Sequence, residues 1–155
     1  MSSRLFQEVR EKLGLAYSVG TAPLHYREAG IFSIFAGTSP DHADKAIKTI
    51  LRELRRLADS KLSPRELAKV KDKIYGATYL GYETAEAHMG WLGRCELQYG
   101  KPRPIQLAID EIHAVRPLEV KREAQRLFLD QRPAFAVIGP FKAKQPLKEL
   151  VHDQA

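Results

Sequence analysis

Arg10 and Tyr17 stand seven residues apart, with Gly14 between them, in the segment SSRLFQEVREKLGLAYSV at residues 2 to 19. Their chemistry suits a polypeptide backbone. An extended peptide exposes carbonyl oxygens, and its hydrolysis develops negative charge on one of them. A phenol and a guanidinium both donate hydrogen bonds to such oxygens, and the guanidinium adds a permanent positive charge. A helix end and the strand after it can hold the two groups at one rim of a cleft. The ordinary reading is a surface arginine and a half-buried strand tyrosine, and spacing alone favours it.

No other set of residues completes a catalytic centre. The five histidines, His25, His42, His88, His113 and His152, include no pair at i, i+4. Neither H-E-x-x-H nor H-x-x-E-H occurs. His25-Tyr26-Arg27-Glu28 supplies four positions of the second motif, but Ala29 fills the fifth. That stretch also reads as a hairpin loop, whereas two histidine ligands need adjacent turns of one helix. His88, beside Met89 and Trp91, reads as an ordinary helix residue. No metal site is expected in this chain. The single cysteine, Cys95, excludes an internal disulfide and cannot alone build a structural zinc site. Its neighbours Trp91 and Leu92 mark it as a small core residue. No G-x-S-x-G elbow, phosphate-binding glycine loop or C-x-x-C pair is present. Gly76, Gly81, Gly90 and Gly93 lie in helical patterns and are expected to permit close helix packing.

The elements that position Arg10 and Tyr17 follow from periodicity. A helix is expected over Ser3 to Lys12, burying Leu5, Phe6, Val9 and Leu13, and ending at Gly14 in the left-handed C′ position. LAYSVGT alternates as a strand, residues 22 to 29 with Pro23 read as a loop, and GIFSIFAGT is a second strand pairing antiparallel with the first. Ser39-Pro40-Asp41 caps a long amphipathic helix ending near Ser60. Its stripe is Ala43, Ala46, Ile47, Ile50, Leu51, Leu54 and Leu57. Ser63-Pro64-Arg65-Glu66 is a capping box opening a helix that carries Leu67, Val70, Ile74 and Ala77 inward. Further helices are expected over residues 85 to 99, 105 to 112 and 117 to 129, and AFAVIG at 134 to 139 reads as a late strand. The fold class is α+β: an antiparallel-type sheet of about three strands covered by five or six helices in one layer. So thin a sheet, in a chain opening on a helix, implies missing upstream strands and an edge needing cover.

The 155 residues suit one domain, and 44% hydrophobic with 28% charged residues is ordinary for a globular protein. No apolar run approaches the ~18 residues needed to span a bilayer, and no signal peptide is visible at MSSRLFQEVR. No membrane partner is expected, and the cytoplasm is the favoured compartment. The net charge of +6 allows an acidic partner, but acids are interleaved among the bases and no stacking-aromatic motif accompanies them. A nucleic-acid partner is therefore not expected.

The chain resembles the later, non-metal domain of the pitrilysin/insulinase family of zinc metallopeptidases. VREKLGLAYSV resembles the segment running from the family's arginine to its tyrosine. GIFSIFAGTSP resembles the next strand and its turn into a long helix. The stretch from LSPRELAKVKDKIYG to LGRCELQYGK resembles the helical pair after it, and AVIGP the closing strand. The likeness spans residues 2 to 141 in the expected order. It implies two similar domains facing across a chamber, one carrying zinc on H-x-x-E-H and the other engaging the substrate backbone. By that resemblance Arg10 anchors substrate, and Tyr17 is both substrate-binding and catalytic, donating to the scissile carbonyl. It implies no cofactor in this chain and zinc in a partner domain. The implied partners are a peptide or protein substrate, a metal-bearing domain or subunit, and a second copy joined through an exposed sheet edge. It further implies that residues 1 to 155 form one domain truncated at its N-terminus and inert alone. Two alternatives stay open: a catalytically silent interaction subunit of the same fold, and a basic nucleic-acid-binding domain.

Overall fold

The structure, a computed structural model, describes residues 3–131 and 133–140. In chain order it has an opening π-helix (Phe6–Lys12), strands β1 (Ser18–His25) and β2 (Gly30–Gly37), and a 3-10 turn (Pro40–His42). Five α-helices follow: α1 (Ala43–Asp59), α2 (Pro64–Leu80), α3 (Ala85–Tyr99), α4 (Ile105–Ala114) and α5 (Pro117–Phe128). The fold is α+β, with β1 and β2 as an antiparallel hairpin. The chain gathers into two compact units. Of the described residues, one unit comprises 3–24, 31–60, 121–131 and 133–140, and the other 25–30 and 61–120.

The first unit carries the core around the opening helix. Leu5, Val9, Leu15, Ala16, Val19 and Ala46 are buried together, with Phe6, Ile34, Ala36 and Ile50 packed against them. The Ser3 hydroxyl accepts the Phe6 N–H at 3.2 Å, and the Lys12 ammonium donates to Glu8 at 2.6 Å one turn earlier. The winding is π rather than the expected α. A π-turn holds more residues than an α-turn, which carries Leu13 off the buried stripe; Leu13 is exposed. The expected left-handed stop is present, with Gly14 at φ 58°.

The hairpin is longer and its connection tighter than periodicity implied. β1 runs through Pro23 to His25, and the turn is closed by the Tyr26 N–H donating to the Ala29 carbonyl at 2.8 Å. In a two-stranded sheet every strand has an outer edge, so a proline without an N–H can sit in β1. The expected late strand is not formed: residues 133–140 join no ladder, and Ile138 is fully exposed. A strand exists through its hydrogen-bonded partner, and an apolar run cannot specify one.

Helix α1 buries Ala43 and Ala46 of the expected stripe, and also buries Thr49, Glu53 and Ala58, which lie outside it, while Ile47, Ile50, Leu51, Leu54 and Leu57 are half-buried. The Glu53 carboxylate lies 3.6 Å from the Arg56 guanidinium and 3.8 Å from that of Arg52. Ser39 has extended backbone before the 3-10 turn, but its side chain makes no cap hydrogen bond.

In the second unit Ser63 caps α2, its hydroxyl accepting the Glu66 N–H at 3.2 Å. Leu67 is buried, whereas Val70, Ile74 and Ala77, expected inward, are exposed. The helix turns a different side toward α4. There the Tyr75 and His113 rings lie tilted with centres 5.9 Å apart, Tyr79 donates to Gln106, and Lys71 donates to the His113 carbonyl at 2.7 Å. Gly100 ends α3 at φ 68°, and Cys95 is buried in that helix. The close-packing role expected for Gly76 and Gly93 is not seen, since a Cβ at either would meet nothing within 4 Å.

Candidate functional site

The candidate site is the corner where the opening helix, the Gly14 turn and the start of β1 meet. Its backbone is over-determined. The Gly14 N–H donates to the Arg10 carbonyl at 3.1 Å, and the Leu15 N–H reaches back to Val9 at 2.8 Å. These two bonds repeat a Schellman ending displaced by one residue, as the wider π-turn requires. Leu15 and Ala16 are buried and anchor the turn in the core. From the other side the Thr38 hydroxyl donates to the Leu15 carbonyl at 2.6 Å, and the Tyr17 N–H donates to Gly37 at 2.8 Å. The short tether at Gly37 is tight as well, because a Cβ there would lie 2.8 Å from the Ser18 hydroxyl.

This frame brings Arg10 and Tyr17 together. Tyr17 sits at the bend just before β1 and is 86% exposed, so its phenol is open to solvent. The Arg10 side chain is 40% exposed, and its guanidinium carbon lies 5.7 Å from the centre of the Tyr17 ring. The same guanidinium lies 4.8 Å from the centre of the Phe6 ring, one turn earlier on the helix. Its nearest carboxylate oxygen belongs to Glu11, 3.9 Å from Nε. A permanent cation and a phenolic donor thus share one accessible corner. That arrangement can grip two carbonyl oxygens of an extended chain, or one that is gaining negative charge.

The surrounding field is set by Lys12 and the α1 arginines. Lys12 holds the Glu8 carboxyl below its usual range through their hydrogen bond, partly opposed by desolvation and aided by Arg56 and Arg52. Among the described residues no group of three or more His, Cys, Asp or Glu side chains is placed to hold a metal ion. His25 ends β1 and Glu28 lies within the hairpin turn, and His88 stacks on Tyr82 with ring centres 3.8 Å apart. His152 lies outside the described residues. No described helix is long and apolar enough to cross a membrane.

Sequence reasoning named Arg10 and Tyr17 but not Phe6 or Thr38. Phe6 was detectable in principle, because an aromatic four residues before an arginine on a helix puts ring and cation on one face. Thr38 leaves no such trace. Its partner is 23 residues away, and only the hairpin brings the two together.

Comparison with known proteins places these residues in context. Residues 1–74 match the family model described as the Peptidase M16 inactive domain. An uncharacterized zinc protease of Streptomyces coelicolor is 37% identical over 153 residues, covering 99% of this chain and 33% of that protein. The uncharacterized zinc protease YmxG of Bacillus subtilis is 35% identical over 140 residues, covering 90% and 34%. The chain therefore spans about a third of the length of these curated relatives. Among solved structures, a chain of Complex III2 from Candida albicans superposes with a TM-score of 0.71 at 21% identity, over 81% of this chain and 30% of that one. The periplasmic protease PqqL of Escherichia coli superposes with a TM-score of 0.58 at 16% identity, over 79% and 14%. These two likenesses speak to the fold.

Proposed function

We infer that this chain, whose residues 1–74 match the Peptidase M16 inactive domain and which is 37% identical to a zinc protease over 153 residues, belongs to the M16 zinc peptidase family and is the substrate-gripping half of a zinc-dependent endopeptidase. The observation carrying this reading is the shared, solvent-open corner of Arg10 and Tyr17, with the guanidinium 5.7 Å from the phenol ring. Arg10 anchors a carbonyl of an extended polypeptide through its fixed fork of donors. Tyr17 donates its phenolic hydrogen to the scissile carbonyl, where negative charge grows as the peptide bond is attacked. Among the described residues no three or more His, Cys, Asp or Glu side chains gather to hold zinc. Zinc, and the activation of water that it supplies, is assigned to a separate metal-bearing domain or subunit.

By itself the chain is then inert, and it acts only when its corner faces that second half. The test uses the assembled protein and an extended fluorogenic peptide. Arg10→Ala raises KM, and Tyr17→Phe lowers kcat. Turnover and KM unchanged in both variants would remove the reading. The lone buried thiol of Cys95 suits a reducing compartment, and the cytoplasm is the compartment proposed.

A second reading is favoured by the apolar residues that the hairpin leaves in water. Leu24, Ile31 and Phe35 are all exposed there, and an open two-stranded edge invites pairing. On this reading the chain is a silent interaction subunit that joins a metal-bearing partner, or a second copy of itself, through the sheet edge. Activity of the assembled protein that is indifferent to Arg10 and Tyr17 but lost on Ile31→Lys would select it.

A further inference from the structure

We propose that Phe6 is the positioning residue of the substrate anchor, its ring holding the Arg10 guanidinium in place by a cation–π contact while leaving the N–H donors free. This deepens the substrate-gripping reading of Arg10 and Tyr17 and rests on it. Phe6 is the nearer of the two rings, at 4.8 Å from the guanidinium carbon against 5.7 Å for Tyr17. It is also the better held, since it packs against the buried cluster of Leu5, Val9, Leu15, Ala16 and Val19. Tyr17, at 86% exposure, has no comparable support. The Glu11 carboxylate lies 3.9 Å from Nε with both side chains in water, and an exposed pair at that distance fixes little.

The type of contact matters for the task. A carboxylate partner would occupy the planar fork of donors that must meet a substrate carbonyl. A ring touches the guanidinium on its face and leaves the in-plane donors open. Phe6 thereby spares the long arginine side chain part of the ordering it would otherwise undergo on binding. The ligand this arrangement takes is the backbone of an extended peptide, recognised through carbonyl oxygens.

The test measures peptide kinetics in the assembled zinc protease and the Arg10 Nε–Hε resonance of the protein. An exposed cation–π contact corresponds to about a two- to fivefold change in an equilibrium. Phe6→Leu, which keeps apolar volume in the cluster, is expected to raise KM by about that factor with kcat unchanged, the signature of lost uniform binding. Phe6→Tyr, which keeps the ring, leaves KM at the wild-type value. On an Arg10→Ala background Phe6→Leu adds nothing. The Arg10 Hε resonance, held upfield by the ring, moves downfield in Phe6→Leu. Phe6→Met, unbranched and apolar, repeats the measurement should leucine disturb the packing. An unmoved Hε, or the same KM increase with and without Arg10, overturns the inference. Arg10→Ala with unchanged KM removes the substrate-gripping reading and the anchor role with it. A KM effect for Arg10→Ala beside a silent Phe6→Leu removes only the role of Phe6.

Discussion

Gly14 is the hinge on which the relative placement of Arg10 and Tyr17 depends, and its substitution has a predictable sign and size. Its φ of 58° lies in the left-handed region, where a Cβ costs an L-residue roughly 1–2 kcal/mol. No atom lies within 4 Å of an added Cβ, so the whole penalty is backbone strain and none is steric overlap. Alanine also lowers the entropy of the unfolded chain, which returns about 0.4–1 kcal/mol. The net expectation for Gly14→Ala is a loss of about 1 kcal/mol. Gly76 is the internal control. It too has nothing within 4 Å of an added Cβ, but it sits inside α2. Gly76→Ala should therefore gain about 0.5–1 kcal/mol. For a chain of this size each kcal/mol moves Tm by about 2–4 °C. Thermal unfolding followed by circular dichroism should show the two variants moving to opposite sides of the wild type, with Gly14→Asn falling less than Gly14→Ala. A Gly14→Ala protein at or above the wild-type Tm would refute the left-handed turn and the corner built on it.

Three further outcomes follow from the same structure. Thr38→Val removes the 2.6 Å donor to the Leu15 carbonyl and should cost about 1 kcal/mol in urea unfolding; no loss would mean that the turn is held without it. Acidification should destabilise the fold as pH falls through the lowered carboxyl pKa values of Glu8, hydrogen-bonded to Lys12, and Glu123, hydrogen-bonded to Arg126. Both carboxyls release their protons more readily when folded, so their contribution is fully present above the unfolded-state value and disappears below the folded one. The double variant Glu8→Gln/Glu123→Gln should flatten that acid limb, and an unaltered limb would contradict it. Chelation by EDTA should leave the Tm of this chain unchanged while abolishing the peptidase activity of the assembled protein; a lowered Tm would reveal a metal site in this half.

Features governed by local interactions are legible in the sequence. Gly14 takes left-handed backbone, and Ser63 caps α2 through its hydroxyl, each decided by neighbours within a few residues. The same holds for Arg10 and Tyr17, whose proximity needs only a helix end, one glycine and an extended bend. Features set by long-range placement are not so legible. The stripe Val70, Ile74 and Ala77 is exposed, while α4 meets α2 on the side of Lys71, Tyr75 and Tyr79. Leu13 left the buried side because the opening helix winds as π, for which the side-chain pattern carries no separate signal. AFAVIG has the composition of a strand, yet a ladder needs a partner that composition cannot name. The buried Glu53 between Arg52 and Arg56 likewise reads in sequence as one more charge on a solvated face.

The most direct measurement of the central claim is the turnover number of the assembled protein carrying Tyr17→Phe, with an extended peptide as substrate. The change deletes one hydroxyl from a side chain that is 86% exposed, so folding and Tm should hold. If that phenol donates to the oxygen on which charge develops, kcat falls by roughly ten- to a thousandfold, the scale of losing one such donor. A kcat equal to that of the wild type would show that Tyr17 takes no part in the reaction.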